Sequence, residues 1–403
     1  MQVPERFSDL PEYAFPRLRA LLDPIPAGGP PIAMSLGEPS HPFPDFVTDA
    51  ILARAAGFNR YPPNEGTADL RAAIADWVKL RYGASLDPEA HILPLNGTRE
   101  GLFNACLALS PEAKNGGTPA VLLPNPFYQC YAAAARAAGA EPIYVPATAG
   151  TDFLPDFAAL PADLLARTTV VYMCSPSNPQ GAVADESYWR TLIGLAETHD
   201  FRIFADECYC EIYRDAAPTG ALEVARAMDA DPERVLIFHS LSKRSNLPGL
   251  RSGFAAGGSQ AIAALLRLRA YAGAPLPLPL QHAAMACWRD EAHVEANRAL
   301  YREKYAIADQ TLGDLAGYRP PQAGFFVWLP VADGEEAAKT LWREAGVRAL
   351  PGAYLSRPTP AELGGGDPGQ GYLRLALVAP ADEVRQGLAA VREIMAKTPA
   401  TAG

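Results

Sequence analysis

The stretch Val235-Leu-Ile-Phe-His239-Ser-Leu-Ser-Lys243-Arg-Ser-Asn-Leu-Pro-Gly-Leu-Arg251-Ser-Gly253 runs an unbroken apolar segment into a tight turn bearing a serine, a lysine and an arginine. An apolar run without polar alternation reads as a strand covered on both faces. Further runs of this kind occur at His91–Leu95, Ala120–Leu123, Glu141–Val145, Thr169–Met173, Phe201–Ala205 and Ser252–Ala256. Between most of them lie Ala/Leu-rich segments with helical spacing, such as Glu100 to Leu109, Tyr131 to Ala138 and Glu186 to Thr198. Strands alternating with helices predict an α/β domain built on a mostly parallel sheet.

After Arg289 the pattern changes. A charged helix is expected over Ala292–Leu315, strands over Gly324–Leu329 and Tyr372–Val378, and a closing helix with Val384, Leu388, Val391 and Met395 on one face. The chain therefore divides into an N-terminal arm and part of a small domain (1–45), a large domain (46–288) and a smaller α+β domain (289–403). Gly364-Gly-Gly-Asp-Pro-Gly-Gln-Gly371 reads as a mobile loop, because glycines restrain the backbone least. The proline-rich start, Pro24-Ile-Pro-Ala-Gly-Gly-Pro-Pro31, reads as extended, either as an arm over a neighbouring subunit or as an unordered tail.

Composition narrows the function. With 403 residues and 49% hydrophobic content, the chain can bury a large core. Its net charge of -10 argues against nucleic acid, whose phosphates demand a basic face. The six cysteines are scattered, and the close pair Cys208-Tyr-Cys210 has no second pair to complete a metal site, so they read as reduced thiols and no metal is expected. The start, Met1-Gln-Val-Pro-Glu-Arg-Phe-Ser-Asp9, lacks an export signal, and no apolar run approaches the roughly twenty residues that span a bilayer. A cytoplasmic protein without membrane contact is expected.

The turn around Lys243 suits a lysine that holds an aldehyde cofactor. A lysine amine condenses with pyridoxal 5'-phosphate, and nearby hydroxyl and guanidinium groups neutralise the phosphate. The letters Ser240-x-x-Lys243 also fit a serine acyl enzyme, but that chemistry needs a Lys-Thr-Gly element, and this chain offers only Lys339-Thr340-Leu341 within a helical pattern. Four more motifs bear on the choice. Leu95-Asn-Gly97-Thr98-Arg99-Glu-Gly101 ends a strand and opens a helix, either as an ordinary strand-to-helix turn or with its free N–H groups binding phosphate. Pro124-Asn-Pro-Phe-Tyr128-Gln-Cys-Tyr131 sets Tyr128 either to stack on a ring or simply to pack. Ser175-Pro-Ser-Asn178-Pro179-Gln-Gly181 offers an amide donor or an Asx turn. Phe204-Ala-Asp206-Glu-Cys-Tyr209 places a carboxylate at a strand's C-terminal end, to pair with a pyridinium nitrogen or to cap a helix.

In this order, from Ser35-Leu-Gly37-Glu-Pro39 to Tyr372-Leu-Arg374-Leu, the motifs resemble the class I/II pyridoxal 5'-phosphate-dependent aminotransferases of fold type I. The resemblance implies Lys243 as the Schiff-base lysine and Asp206 as the ring-nitrogen partner. It implies Tyr209 and Asn178 on the ring oxygen and Tyr128 on the ring face. The phosphate would be held by Ser240, Arg251, the Gly97, Thr98 and Arg99 backbone, and Tyr61 from a second subunit, hence a homodimer. Arg374, with Gly37 and Asn178, would bind the substrate carboxylate.

The wording of Ser240–Gly249, Asn96–Asn104 and Tyr61–Gly66 is similar to the bacterial N-succinyldiaminopimelate aminotransferases, which implies transfer between glutamate and N-succinyl-2-amino-6-oxopimelate in lysine biosynthesis. Arg17, Arg19 and Arg244 are candidates by location for a second, remote carboxylate, or are simply solvated at the surface. The alternatives are an aminotransferase for another dicarboxylic or aromatic amino acid, a carbon–sulfur lyase of the same fold, and a non-catalytic sensor. The sensor is disfavoured by the absence of a DNA-binding extension and by the intact set Asp206, Lys243, Arg251 and Arg374.

Overall fold

The computed structural model describes residues 5–8, 10 and 12–397. The opening residues of the stretch read as lacking an export signal lie outside the described residues. Seven strands form the central sheet: β1 (Ile92–Leu95), β2 (Ala120–Asn125), β3 (Glu141–Pro146), β4 (Thr168–Cys174), β5 (Arg202–Asp206), β6 (Val235–Ser240) and β7 (Gly253–Gly257). Their order is β1-β7-β6-β5-β4-β2-β3. β7 runs antiparallel to β1 and β6, and the other pairings are parallel. This is the α/β arrangement that the alternating pattern predicts.

Period-two alternation sorts each strand between two cores. Ile203, Ala205 and Ile237 face one core with Trp77 and Ile193, whereas Phe204 and Phe238 face the other with Tyr131 and Tyr172. Each large apolar side chain so buried contributes about 1.5–3 kcal/mol, so a one-residue slip in register would be opposed from both faces. The first face is covered by α2 (Ala68–Tyr82), a helix whose pattern the sequence reading passed over; it ends at Gly83, left-handed at φ 64°. The second is covered by α3 (Thr98–Leu109), α4 (Gln129–Ala137) and α6 (Ser259–Ala272). Between them in sequence, α5 (Glu186–His199) starts where the Asp185 side chain accepts from the Tyr188 N–H at 2.8 Å.

After α7 (Leu278–Arg289), the small domain joins α8 (Ala292–Leu312), α9 (Gly334–Ala345) and α10 (Ala381–Met395) to a sheet of β8 (Phe326–Pro330), β9 (Leu350–Pro351) and β10 (Tyr372–Ala376), ordered β9-β10-β8. Val384, Leu388, Val391 and Met395 of α10 lie in its core. Helix α8 stops at Leu312 rather than Leu315, with Gly313 as its cap, and β8 begins only after Gly324, whose φ of 76° breaks extended backbone.

The start of the chain completes this domain. α1 (Ala14–Leu22) packs Leu18 and Leu22 against Trp342 and Tyr354, and Ile32–Ala33 pairs in parallel with Val347–Arg348. Gly28 donates to Trp342 O at 3.0 Å, and a Cβ there would meet Arg343 O at 2.1 Å. The proline-rich stretch is thus laid along its own small domain. The 364–371 loop, expected to be mobile, is tied down: Thr359 N donates to Gly366 O at 2.8 Å, and Gly369 N to Asp367 Oδ1 at 2.9 Å. Its first glycines take φ of 105°, 67° and 71°, so they serve left-handed turns rather than slack.

Candidate functional site

The strand ends β5 and β6, the first turn of α3 and the small-domain strand β10 converge on a cavity of about 310 Å³. Gly37, Thr98, Arg99, Tyr128, Asn178, Asp206, Tyr209, Ser240, Lys243, Arg251 and Arg374 all line it. Gly97 sits just behind: its φ of 83° favours glycine, and a Cβ there would meet Arg251 Nη2 at 2.4 Å and push the guanidinium aside. Tyr61 is not brought to this cavity; its side chain is fully exposed on the surface of the chain. A larger cavity of about 760 Å³, between Asp152–Phe157 and Arg319–Gln322, holds none of the predicted residues. Chemistry, not volume, points to the smaller one.

Lys243 follows the Ser240 cap of a one-turn helix, Leu241–Arg244. Its Nζ donates to Gly37 O at 2.6 Å and lies 5.9 Å from the Tyr209 ring centroid. Burial, with help from the positive charges of Arg374 and Arg251, pushes its amine down to about 8 from 10.5. A larger share of it is therefore neutral, and nucleophilic, near physiological pH.

Asp206 ends β5 on the Phe204 face. Its Oδ2 accepts from the Tyr131 hydroxyl at 2.7 Å, and burial pushes the carboxyl up against the opposing pull of that bond. Arg374 donates from Nη1 to Asn178 Oδ1 at 3.0 Å and from Nη2 to Ser35 O at 2.7 Å, while its Nε is buried without a partner. Burial lowers the guanidinium to about 10, so an incoming carboxylate would relieve a desolvated cation. Arg251, left-handed at φ 56°, donates to Pro248 O at 2.8 Å and Asn96 O at 3.2 Å. Ser240 Oγ accepts from the Ser242 N–H at 3.1 Å.

Two residues in this arrangement went unassigned in the sequence reading. Tyr131 stands one helical turn after Tyr128, and that i,i+3 spacing was the available signal. Ser242 lines the cavity beside Ser240. The remote-carboxylate candidates need correction. Arg244 is buried away from the cavity, donating to Cys287 O at 2.7 Å, pairing with Glu291 and lying 5.0 Å from the Trp288 ring, because a one-turn helix aims consecutive side chains apart. Arg17 lies over the Tyr354 ring at 3.8 Å, and Arg19 is exposed; neither lines the cavity. The rim charges that do are Arg99 and Glu38.

The donor set fits pyridoxal 5'-phosphate. A carboxylate held by Tyr131 at Oδ2 and only by a long 3.4 Å bond from Cys208 N at Oδ1 suits a ring N–H, a depressed lysine suits the aldehyde, and a helix N-terminus with Ser240 and Arg251 suits the phosphate.

Residues 30–391 match the model of the family described as aminotransferase class I and II. The chain is 33% identical over 398 residues to an LL-diaminopimelate aminotransferase of Desulforudis audaxviator, covering 96% of each, and 31% identical to one of Dehalococcoides mccartyi, covering 96% of this chain and 98% of that one. Among solved structures, an aminotransferase of Neisseria meningitidis superposes with TM-score 0.92 at 37% identity, covering 97% of this chain and all of the other. A "probable N-succinyldiaminopimelate aminotransferase" of Thermus thermophilus gives 0.82 at 27%, covering 94% and 99%. With matches along nearly its whole length, the chain belongs to the aminotransferase class I and II family, enzymes that work with pyridoxal 5'-phosphate.

Proposed function

We propose that this aminotransferase moves an amino group between glutamate and a diaminopimelate-type substrate, with Lys243 as its catalytic lysine. The observation that supports this most is the cavity uniting Lys243, Asp206, Asn178, Arg251 and Arg374. When bound, the cofactor supplies an aldehyde carbon that takes up the amino group and a cationic ring that accepts electron density. Asp206 holds the proton on the ring nitrogen, and Tyr131 orients that carboxylate. Tyr209 and Asn178 bond the ring oxygen, and Tyr128 covers the ring face. Ser240, Arg251 and the Gly97, Thr98 and Arg99 backbone hold the phosphate, with Tyr61 joining from the neighbour in a homodimer.

Arg374 clasps the α-carboxylate by two parallel hydrogen bonds, with Gly37 and Asn178 closing the carboxylate site. The substrate's α-hydrogen is thereby turned toward Lys243. With the cofactor bound, Lys243 Nζ would be the base that takes the proton at the substrate α-carbon and the acid that gives it back. The opposite half-reaction returns the amino group to a 2-oxo acid.

Arg99 and Glu38 set opposite charges on the rim. That pair suits the ammonium and carboxylate at the far end of free LL-diaminopimelate, the substrate in the names of the relatives at 31–33% identity. The N-succinyl compound, whose far nitrogen is an uncharged amide, is the second reading; the likeness to the Thermus structure favours it. The free cysteines accord with a cytoplasmic enzyme. Stopped-flow absorbance of the cofactor-loaded enzyme with glutamate, LL-diaminopimelate and its N-succinyl form decides. Fast conversion by glutamate and the free compound is expected. A preference for the succinylated compound would install the second reading, and release of pyruvate or ammonia would point to a lyase.

A further inference from the structure

We propose that His41 is a positioning residue for transamination: with Lys304 and Asn297 it fixes the segment Leu36–Pro42 against the turn that carries Lys243. The proposal rests on Lys243 being the residue that carries the cofactor.

The segment is held at several points along its length. Ser35 O accepts from Arg374, and Gly37 O from Lys243 Nζ at 2.6 Å. Ser40 Oγ bonds Val378 O, and Pro42 O accepts from Asn246 Nδ2 at 3.4 Å. Between these anchors stands His41, its ring 4.6 Å from that of Tyr301.

Lys304 on α8 is only 2% exposed, and the hydrogen-bond partners of its ammonium are neutral: His41 Nε2 at 2.6 Å and Val378 O at 3.0 Å. An ammonium has donors only, so His41 Nε2 must accept and Nδ1 must carry the ring proton. Nδ1 faces Asn297 Oδ1 at 2.9 Å, which also accepts from Asn246 Nδ2 at 2.9 Å. Asn297 Nδ2 then donates to the backbone oxygen of Lys243 at 3.3 Å. One polarised chain therefore runs from Lys304 through His41 and Asn297 to the main chain of Lys243. Burial lowers the lysine to about 8 and lowers the histidine as well, so at neutral pH the pair carries one charge and does not repel itself.

Both ring nitrogens of His41 anchor the segment to α8, Nε2 at Lys304 and Nδ1 at Asn297, and Asn297 relays the second anchor to the main chain of the Lys243 turn. Arg374 and Lys243 both lean on that segment, so its loss displaces carboxylate and amine relative to each other. A displacement of about 1 Å at such a site lowers turnover on the order of a hundred-fold.

The test uses the full-length, cofactor-loaded enzyme, with kcat expressed per Lys243 adduct counted by borohydride trapping and peptide mapping. His41→Phe keeps a ring against Tyr301 and should lower kcat about ten- to a hundred-fold, and the pH at which the lysine-bound cofactor changes absorbance should move. His41→Gln keeps an acceptor for Lys304 and should recover part of the loss. Lys304→Met should resemble His41→Phe, and combining the two should add nothing further, as expected for one coupled unit. Effects that multiply, or an unchanged kcat and absorbance titration with only thermal stability reduced, would overturn the proposal alone. A parent enzyme with no adduct at Lys243 would overturn both the proposal and the lysine assignment beneath it.

Discussion

Asp206 and Glu207 are neighbours in sequence, both buried, and serve opposite sides of the sheet. Asp206 faces the cavity with Lys243, and burial raises it; Tyr131 engages its Oδ2. Glu207 faces the other way and is saturated: Oε2 accepts from Tyr82 at 2.6 Å with His239 Nε2 3.4 Å away, and Oε1 accepts from Ala221 N at 2.9 Å. Beyond it, Glu211 takes Arg81 and Arg298 at 2.9 Å each; burial pushes Glu211 up, but the arginines outweigh it and hold it below its ordinary value. The difference lies in spare valence. Behind the sheet the carboxylates of Glu207 and Glu211 are fully taken up by fixed partners, whereas in the cavity Arg374 Nε stands without a partner and Lys243 rests on a backbone carbonyl. The charged groups of the cavity thus keep hydrogen-bonding capacity for a ligand that the two rear carboxylates no longer have.

That contrast breaks most sharply at Lys243. Lys243→Ala should abolish borohydride-reducible attachment of pyridoxal 5'-phosphate and lower transamination at least about a thousand-fold, measured as glutamate-dependent turnover; retained attachment would transfer the role elsewhere. The depressed amine makes a second, pH-based test. Capture of the cofactor needs the unprotonated amine, so its rate should climb with pH and level off above about 8 rather than near 10.5. Near neutral pH that is roughly a few-hundred-fold more neutral amine than an exposed lysine offers.

Arg374→Ala should raise KM for glutamate on the order of a hundred-fold, the loss of a bidentate charged contact, while leaving the lysine adduct intact. Tyr131→Phe removes a donor that stabilises the Asp206 carboxylate and should cut kcat about ten-fold, with a small change in melting temperature. At the rear, Glu207→Gln should cost about 2 kcal/mol of stability by denaturant titration and leave kcat per bound cofactor at the parent level. A large kcat effect there would erase the division between the two faces.

Much of this was legible beforehand. The strands were readable because each is continuously apolar, and the cavity residues because short polar motifs interrupt the chain right at strand ends. Asp206, Asn178 and Lys243 fall in such breaks. What escaped depends on facing rather than type. Tyr131 reads as one more apolar position of a helix until that helix is set against β5. Arg244 and Lys243 are adjacent basic letters, and only the one-turn helix shows that one is aimed at Cys287 and the other at Gly37. His41 and Lys304 lie 263 residues apart, beyond the reach of any local pattern. The helix Ala68–Tyr82 escaped for another reason: charged and apolar residues mix along it, and its role appears only once Trp77 is seen between His239 and Trp288.

The bond from Arg374 to Ser35 O spans 339 positions of sequence. During synthesis the first partner therefore leaves the ribosome long before the second exists, and α1 with the strand Ile32–Ala33 must wait for Trp342, Tyr354 and Val347–Arg348 to dock upon. The large domain has all its strands well before then. The Lys243 turn and the sheet beneath it are therefore synthesised well before Arg374, the residue that closes the cavity from the other side, exists.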